Sequence, residues 1–120
     1  MTKRILIVDD DSDILEIISY LLSEAGYETR TLTHGETIFN DIEDFKPNLI
    51  LMDVMLAGMD GRAICHSIKT NPSTTGLPVI LISGTHNLAA SLHLPGAPDD
   101  FLAKPFNIDH LLVKIAQHIL

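Results

Sequence analysis

Cysteine is nearly absent from this 120-residue chain: Cys65 stands alone, so no internal disulfide can form and no cysteine-rich zinc site exists. Positive charge is also scarce. Eight Lys and Arg stand against sixteen Asp and Glu, a net charge of -8, which is the wrong sign for a surface that must neutralise nucleic-acid phosphates. No apolar run approaches the roughly 18 residues that a membrane-spanning helix needs. Met1-Thr2-Lys3-Arg4 leads into a run too short for the core of a signal peptide. A reducing, cytoplasmic setting is the expectation. No repeat, linker or low-complexity segment interrupts the chain. At 46% hydrophobic and 20% charged, residues 1–120 read as one globular domain with a sizeable core.

What is present is organised around Leu49-Ile50-Leu51-Met52-Asp53, four apolar residues ending on one aspartate. A fully apolar run of this length predicts a strand buried on both faces. The charge at its end must sit where water, a metal or a partner reaches it. Arg4-Ile5-Leu6-Ile7-Val8 runs likewise into Asp9-Asp10, Pro78-Val79-Ile80-Leu81-Ile82 into Ser83, and Phe101-Leu102-Ala103 into Lys104-Pro105. Tyr27 to Leu32 is β-prone but alternates with charge, as an edge strand does.

Helical periodicity fills the gaps. The stripe Ile14, Ile17, Ile18, Leu21, Leu22, Ala25 predicts a helix over 13–25, capped by Asp11 or Ser12 and closed by Gly26. A second helix is predicted over 35–45 with Ile38, Phe39, Ile42 and Phe45 inward, and a third over 62–70 with Ala63, Ile64, Cys65 and Ile68 inward. A short fourth falls at 87–94 before Pro95, and a fifth at 107–119, capped by Asn107, carries Ile108, Leu111, Leu112, Ile115 and Ile119. Any of these last positions left exposed would offer a homodimer face. Five alternations of strand and helix predict an α/β fold: a parallel five-stranded sheet, doubly wound, with helices on both faces. The three wholly apolar strands belong in the middle, which gives the flavodoxin-like order 2-1-3-4-5.

That order makes the first and third strands neighbours at the topological switch point, where ligands bind at the carboxyl ends of strands. Asp9, Asp10 and Asp53 then share one crevice. Two unit charges ~4 Å apart at an effective dielectric of ~20 repel by about 4 kcal/mol. A shared proton or a hard cation relieves this, and Mg2+, which takes oxygen ligands and few carboxylates, suits the set. Lys104 adds an ammonium and Ser83 a hydroxyl. A carboxylate nucleophile at Asp53, a divalent cation, an ammonium and a hydroxyl are what phosphoryl transfer to an aspartate requires.

Val8-Asp9-Asp10, Asp53 followed by Met59-Asp60-Gly61, Ser83-Gly84, and Asp99-Asp100-Phe101-Leu102-Ala103-Lys104-Pro105-Phe106 occur in this order, each at a predicted strand end. In this the chain resembles, over essentially its whole length, the CheY-like receiver domain of two-component response regulators. The resemblance implies Asp53 as phosphoacceptor, Asp9, Asp10, Asp53 and the backbone carbonyl of Met55 as Mg2+ ligands, and Ser83 and Lys104 as partners of the phosphoryl group. It implies a cis peptide at Lys104-Pro105. It further implies a histidine kinase or phosphotransfer protein as donor, and a switch through Ser83 and Phe101 that alters the face of the fourth helix, fifth strand and fifth helix toward a downstream output domain or protein. Such a domain is a signalling switch that catalyses its own phosphorylation chemistry, not a metabolic enzyme.

The chain departs from the pattern in three places. Ala57 stands where proline is usual, Phe101 lacks the hydroxyl of the commoner tyrosine, and the stretch from Ser83 to Gly96 is short. Two alternatives follow. One is a pseudo-receiver, the same fold used as a non-phosphorylated binding module. The other is a haloacid-dehalogenase-type phosphatase in which Asp9 of Asp9-Asp10-Asp11 is the nucleophile. Asp11 and Asp13 read as a cap and a dipole partner of the first helix, not as ligands. The six histidines (34, 66, 86, 93, 110 and 118) have no metal-ligand spacing.

Overall fold

A computed structural model describes residues 2–84 and 96–119. The helix expected at 87–94 lies outside the described residues. The elements are β1 (Arg4–Val8), α1 (Ser12–Glu24), β2 (Glu28–Leu32), α2 (Ile38–Phe45), β3 (Leu49–Asp53), β4 (Met55–Leu56), β5 (Met59–Asp60), α3 (Gly61–Thr70), β6 (Val79–Ser83), β7 (Asp100–Ala103) and α4 (Ile108–His118). The main sheet runs β2-β1-β3-β6-β7 and every pairing in it is parallel. This is the order expected from the apolar runs: β1, β3 and β6 are central and almost wholly buried, β2 and β7 are half-exposed edges.

Side chains alternate across the sheet, so each strand feeds two separate cores. Leu6, Val8, Ile50, Met52, Val79 and Leu81 pack with α2 and α3 through Ile38, Phe45, Ile64 and Ile68. Ile5, Ile7, Leu49, Leu51, Ile80 and Ile82 pack with α1 and α4 through Leu15, Ile18, Leu22, Leu111 and Ile115. Caps fix where the helices start. Asp11 accepts from the amides of Asp13 and Ile14, and Asn107 from those of Asp109 and His110.

Several sequence expectations change. On α1 the buried residues are Leu15, Ile18 and Leu22, whereas Ile17 is 59% exposed. The apolar stripe is wider than the sheet can cover, and its Ile14, Ile17 and Leu21 side faces the segment after β7 instead. On α2, Ile38 and Phe45 are buried and Phe39 is exposed. That helix starts at Ile38 and not 35, because residues before it turn back through an Ile38 amide to Gly35 carbonyl bond of 3.2 Å. Its end is set by Lys46, left-handed at φ 54°, one residue ahead of Pro47. The stretch after Asp53 contains the small antiparallel hairpin β4–β5, with Met55 opposite Asp60 and Leu56 opposite Met59.

A second device sets the register of the β7 edge. Asp99 Oδ2 accepts from the Val79 amide at 2.9 Å and from Lys69 Nζ at 2.8 Å, while the Asp99 amide donates to Val79 carbonyl at 2.9 Å. Asp100 binds Lys114 Nζ and His118 Nε2, both at 3.0 Å, and so ties α4 to the same strand.

Candidate functional site

The parallel register carries β1, β3, β6 and β7 to a common level at their carboxyl ends. Val8 pairs with Met52, Asp53 with Ile82, and Ser83 with Ala103. Asp9, Asp53, Ser83 and Lys104 therefore emerge side by side, although 95 residues of chain separate the first from the last. Lys104 Nζ donates to Asp53 Oδ2 at 2.7 Å and lies 3.8 Å from Asp9 Oδ2. The peptide between Lys104 and Pro105 is cis, as the resemblance implied, and the Lys104 amide donates to Ser83 carbonyl at 2.8 Å.

The two inner carboxylates are held by backbone amides. Met55 N–H donates to Asp53 Oδ1 at 3.0 Å, and Asp11 N–H donates to Asp9 Oδ1 at 2.9 Å. Asp9 and Asp53 are buried at 2% and 4% exposure, Ser83 is fully buried, and Asp10 is exposed at the rim. Among the described residues, Asp9, Asp10 and Asp53 form a group able to hold a metal ion, with ligand oxygens all within 4.8 Å of one another. The donor set is all oxygen and open to solvent on the Asp10 side, which fits a hard cation that keeps part of its water.

The electrostatics point the same way. Burial pushes the Asp9 carboxyl up to about 6; the Asp11 amide and Lys104 work against this, and the neighbouring Asp53 carboxylate works with it. Burial alone would lower the pKa of Lys104. Its hydrogen bond to Asp53 and the charges of Asp53, Asp9 and Asp10 outweigh that and hold it above the ordinary lysine value. An acidic crevice with one built-in cation thus stores repulsion that an added cation would relieve.

All the residues singled out from the sequence reach this end of the sheet except Phe101, which is half-buried on β7 and packs on the α2–α3 side opposite Leu81. Two contributors were not anticipated. The Met55 amide serves the Asp53 carboxylate, in addition to the carbonyl expected as a metal ligand. Gly61, read in the sequence only as part of Met59-Asp60-Gly61, lies directly against the Asp53–Val54 backbone.

A switch-point crevice with three carboxylates, a lysine and a serine on a five-stranded parallel sheet defines a receiver-type fold. The chain belongs to the response regulator receiver domain family, whose profile matches residues 5–116. It is similar to the DNA-binding response regulator MtrA of Mycobacterium tuberculosis, 29% identical over 116 residues, covering 96% of this chain and 50% of that protein. The chain spans about half the length of the curated relatives it matches. Among solved structures it resembles the CheY-like receiver domain protein of Methanospirillum hungatei (TM-score 0.88, 32% identity, 99% of this chain and 94% of that one). It also resembles the signal receiver domain of a signal transduction histidine kinase from Syntrophus aciditrophicus (TM-score 0.88, 29% identity, 98% and 90%). The chain is a receiver domain of two-component signalling. The alternative phosphatase reading, with Asp9 as nucleophile, is set aside by this membership.

Proposed function

We propose that residues 1–120 act as one receiver domain in the cytoplasm, with Asp53 as its phosphoacceptor. A histidine kinase or phosphotransfer protein supplies the group. A carboxylate oxygen of Asp53 forms a bond to phosphorus, the phosphorus–nitrogen bond of the donor imidazole breaks, and the released nitrogen takes a proton from solvent. Mg2+, held by Asp9, Asp10, Asp53 and the Met55 carbonyl, would supply charge neutralisation at the phosphoryl oxygens. Lys104 turns from Asp53 to the incoming phosphoryl group, and Ser83 donates its hydroxyl to it. The reaction is the domain's own switching chemistry, not turnover of a metabolite. The observation that carries this reading is the 2.7 Å contact between Lys104 and the carboxylate ending β3, inside an acidic crevice.

The same geometry supports a seat for the donor. Ile14, Ile17, Leu21, Phe106 and Ile108 line an apolar groove of about 520 Å³ that has Lys104 in its wall. An amphipathic helix of the donor lying there would bring its histidine to the crevice. Output runs through Phe101 and the β7–α4 side to a partner domain or protein. The acidic receiver itself contacts no nucleic acid.

Acetyl phosphate with Mg2+ should add one phosphoryl group to the wild type and none to Asp53→Asn, read by intact mass. Modification of a different residue would overturn the assignment. No modification, together with no Mg2+ binding at millimolar concentration, would leave the pseudo-receiver reading.

A further inference from the structure

We propose that Gly61 is a positioning residue for Asp53. Because it lacks a Cβ, the first turn of α3 seats directly on the acceptor peptide and fixes the direction of the acceptor carboxylate. The inference rests on the phosphoacceptor reading of Asp53 and names a residue that reading does not use.

A Cβ at position 61 would overlap the Asp53 carbonyl oxygen outright, and it would lie 2.9 Å from Val54 Cα and 3.1 Å from the Asp53 carbonyl carbon. Each of these is backbone, so no side chain can swing away. Gly61 is not in the left-handed region, in contrast to Gly58 at φ +73°. Space alone, and not conformational freedom, requires glycine here. The Gly61 amide donates to Val54 carbonyl at 2.8 Å, and the Val54 amide donates to Ile82 carbonyl at 2.9 Å. The acceptor peptide is thereby clamped between β6 and the start of α3.

Neither side of the clamp can give. The helix is anchored by the buried Ile64, Cys65 and Ile68 and started by the Asp60 cap. The β6 side is a fully buried central strand. A methyl group at 61 must therefore displace the Asp53–Val54 peptide. Asp53 Oδ1 is bound to the amide two residues on and Oδ2 to Lys104, so its carboxylate orientation follows that backbone. Helix propensity predicts the opposite sign, since alanine is the better helix former by about 1 kcal/mol. The contact, not the propensity, decides at this position.

The experiment compares wild type, Gly61→Ala and Ile68→Val, measuring the acetyl phosphate phosphorylation rate, Mg2+ affinity and thermal midpoint of each. Ile68 is buried on the same helix, seven residues beyond Gly61, so Ile68→Val loosens α3 while leaving the contact between Gly61 and the Asp53–Val54 backbone in place. Gly61→Ala should lose about a hundredfold in rate, the scale of a ~1 Å misplacement of a reacting group, with weakened Mg2+ binding. Ile68→Val should lower the midpoint and leave both constants unchanged. Wild-type rate and Mg2+ affinity in Gly61→Ala, at any midpoint, would overturn the proposal. If Gly61→Ala does not fold, the wild-type Gly61 amide resonance reports the same contact. It should shift on addition of beryllium fluoride and Mg2+, and an unmoved resonance would overturn the proposal. A wild type that takes no phosphoryl group overturns the Asp53 assignment and this inference together, whereas a reactive wild type with an equally reactive Gly61→Ala overturns the inference alone.

Discussion

Asp9 shows what a buried acid costs and why a site keeps one. It is 2% exposed, and burial raises its pKa to about 6 from an ordinary 3.8. The folded state therefore holds a proton through a window, about pH 4 to 6, in which the unfolded state has released it. Stability falls as pH rises through that window and stays lower above it. Asp9→Asn should thus stabilise the metal-free protein by about 3 kcal/mol at pH 7, given ~1.4 kcal/mol for each pKa unit. The gain should shrink toward zero below pH 4, where Asp9 is neutral in both states. Urea unfolding at the two pH values, with chelator present, tests this. An equal gain at both would show that packing, not charge, is responsible. Asp9, Asp10, Asp53, Ser83 and Lys104 were legible as chemistry-bearing residues because each ends an apolar run. Gly61 was visible only as part of Met59-Asp60-Gly61, and its close approach to Asp53 was not, because a distance to a backbone eight residues away leaves no periodic trace.

The element with the least sequence signal is the hairpin β4–β5. Two residues on each side are too few for alternation to register, and only the pairing of Met55 with Asp60 and Leu56 with Met59 reveals it. Its tight turn is Ala57-Gly58, with Gly58 at φ +73° while Ala57 keeps an ordinary negative φ. That combination matches a type II turn, whose first central position favours proline. Leu56, in extended backbone, is also compatible with a following proline. Ala57→Pro should therefore stabilise the domain by about 0.4–1 kcal/mol through the unfolded chain and leave phosphorylation by acetyl phosphate unchanged. A fall in the thermal midpoint would mean that the Ala57 amide is in use. The helices carried stronger signals, and their caps at Asp11 and Asn107 fell where the side chains predicted. Which apolar residues of α1 are core was not legible, since a wide stripe leaves the rotation of a helix about its axis undetermined.

At the scale of the whole molecule, that rotation has a consequence. The sheet covers Leu15, Ile18 and Leu22, and the uncovered flank of α1 joins Phe106 and Ile108 to make the groove beside Lys104. With Ile17 at 59% exposure, Ile17→Asp should leave stability and the acetyl phosphate rate unchanged. It should also cut transfer from a histidine kinase that phosphorylates the wild type by about tenfold or more, the loss expected from ~1.4 kcal/mol of contact energy. Equal loss with both donors would place the defect in the crevice and not in docking. The sequence by itself determined the alternation of strands and helices, which strands are central, and the identity of the acidic, hydroxyl and lysine groups at their ends. Those follow from runs and periods a few residues long, where burial on two faces, one face or none dictates composition directly. Tertiary structure alone decided that Lys104 lies 2.7 Å from a carboxylate 51 residues earlier, that α3 rests on the Asp53–Val54 peptide, and which side of α1 faces water. Each of these depends on how separate segments register and cross, and that is set by the packing of two cores against one sheet.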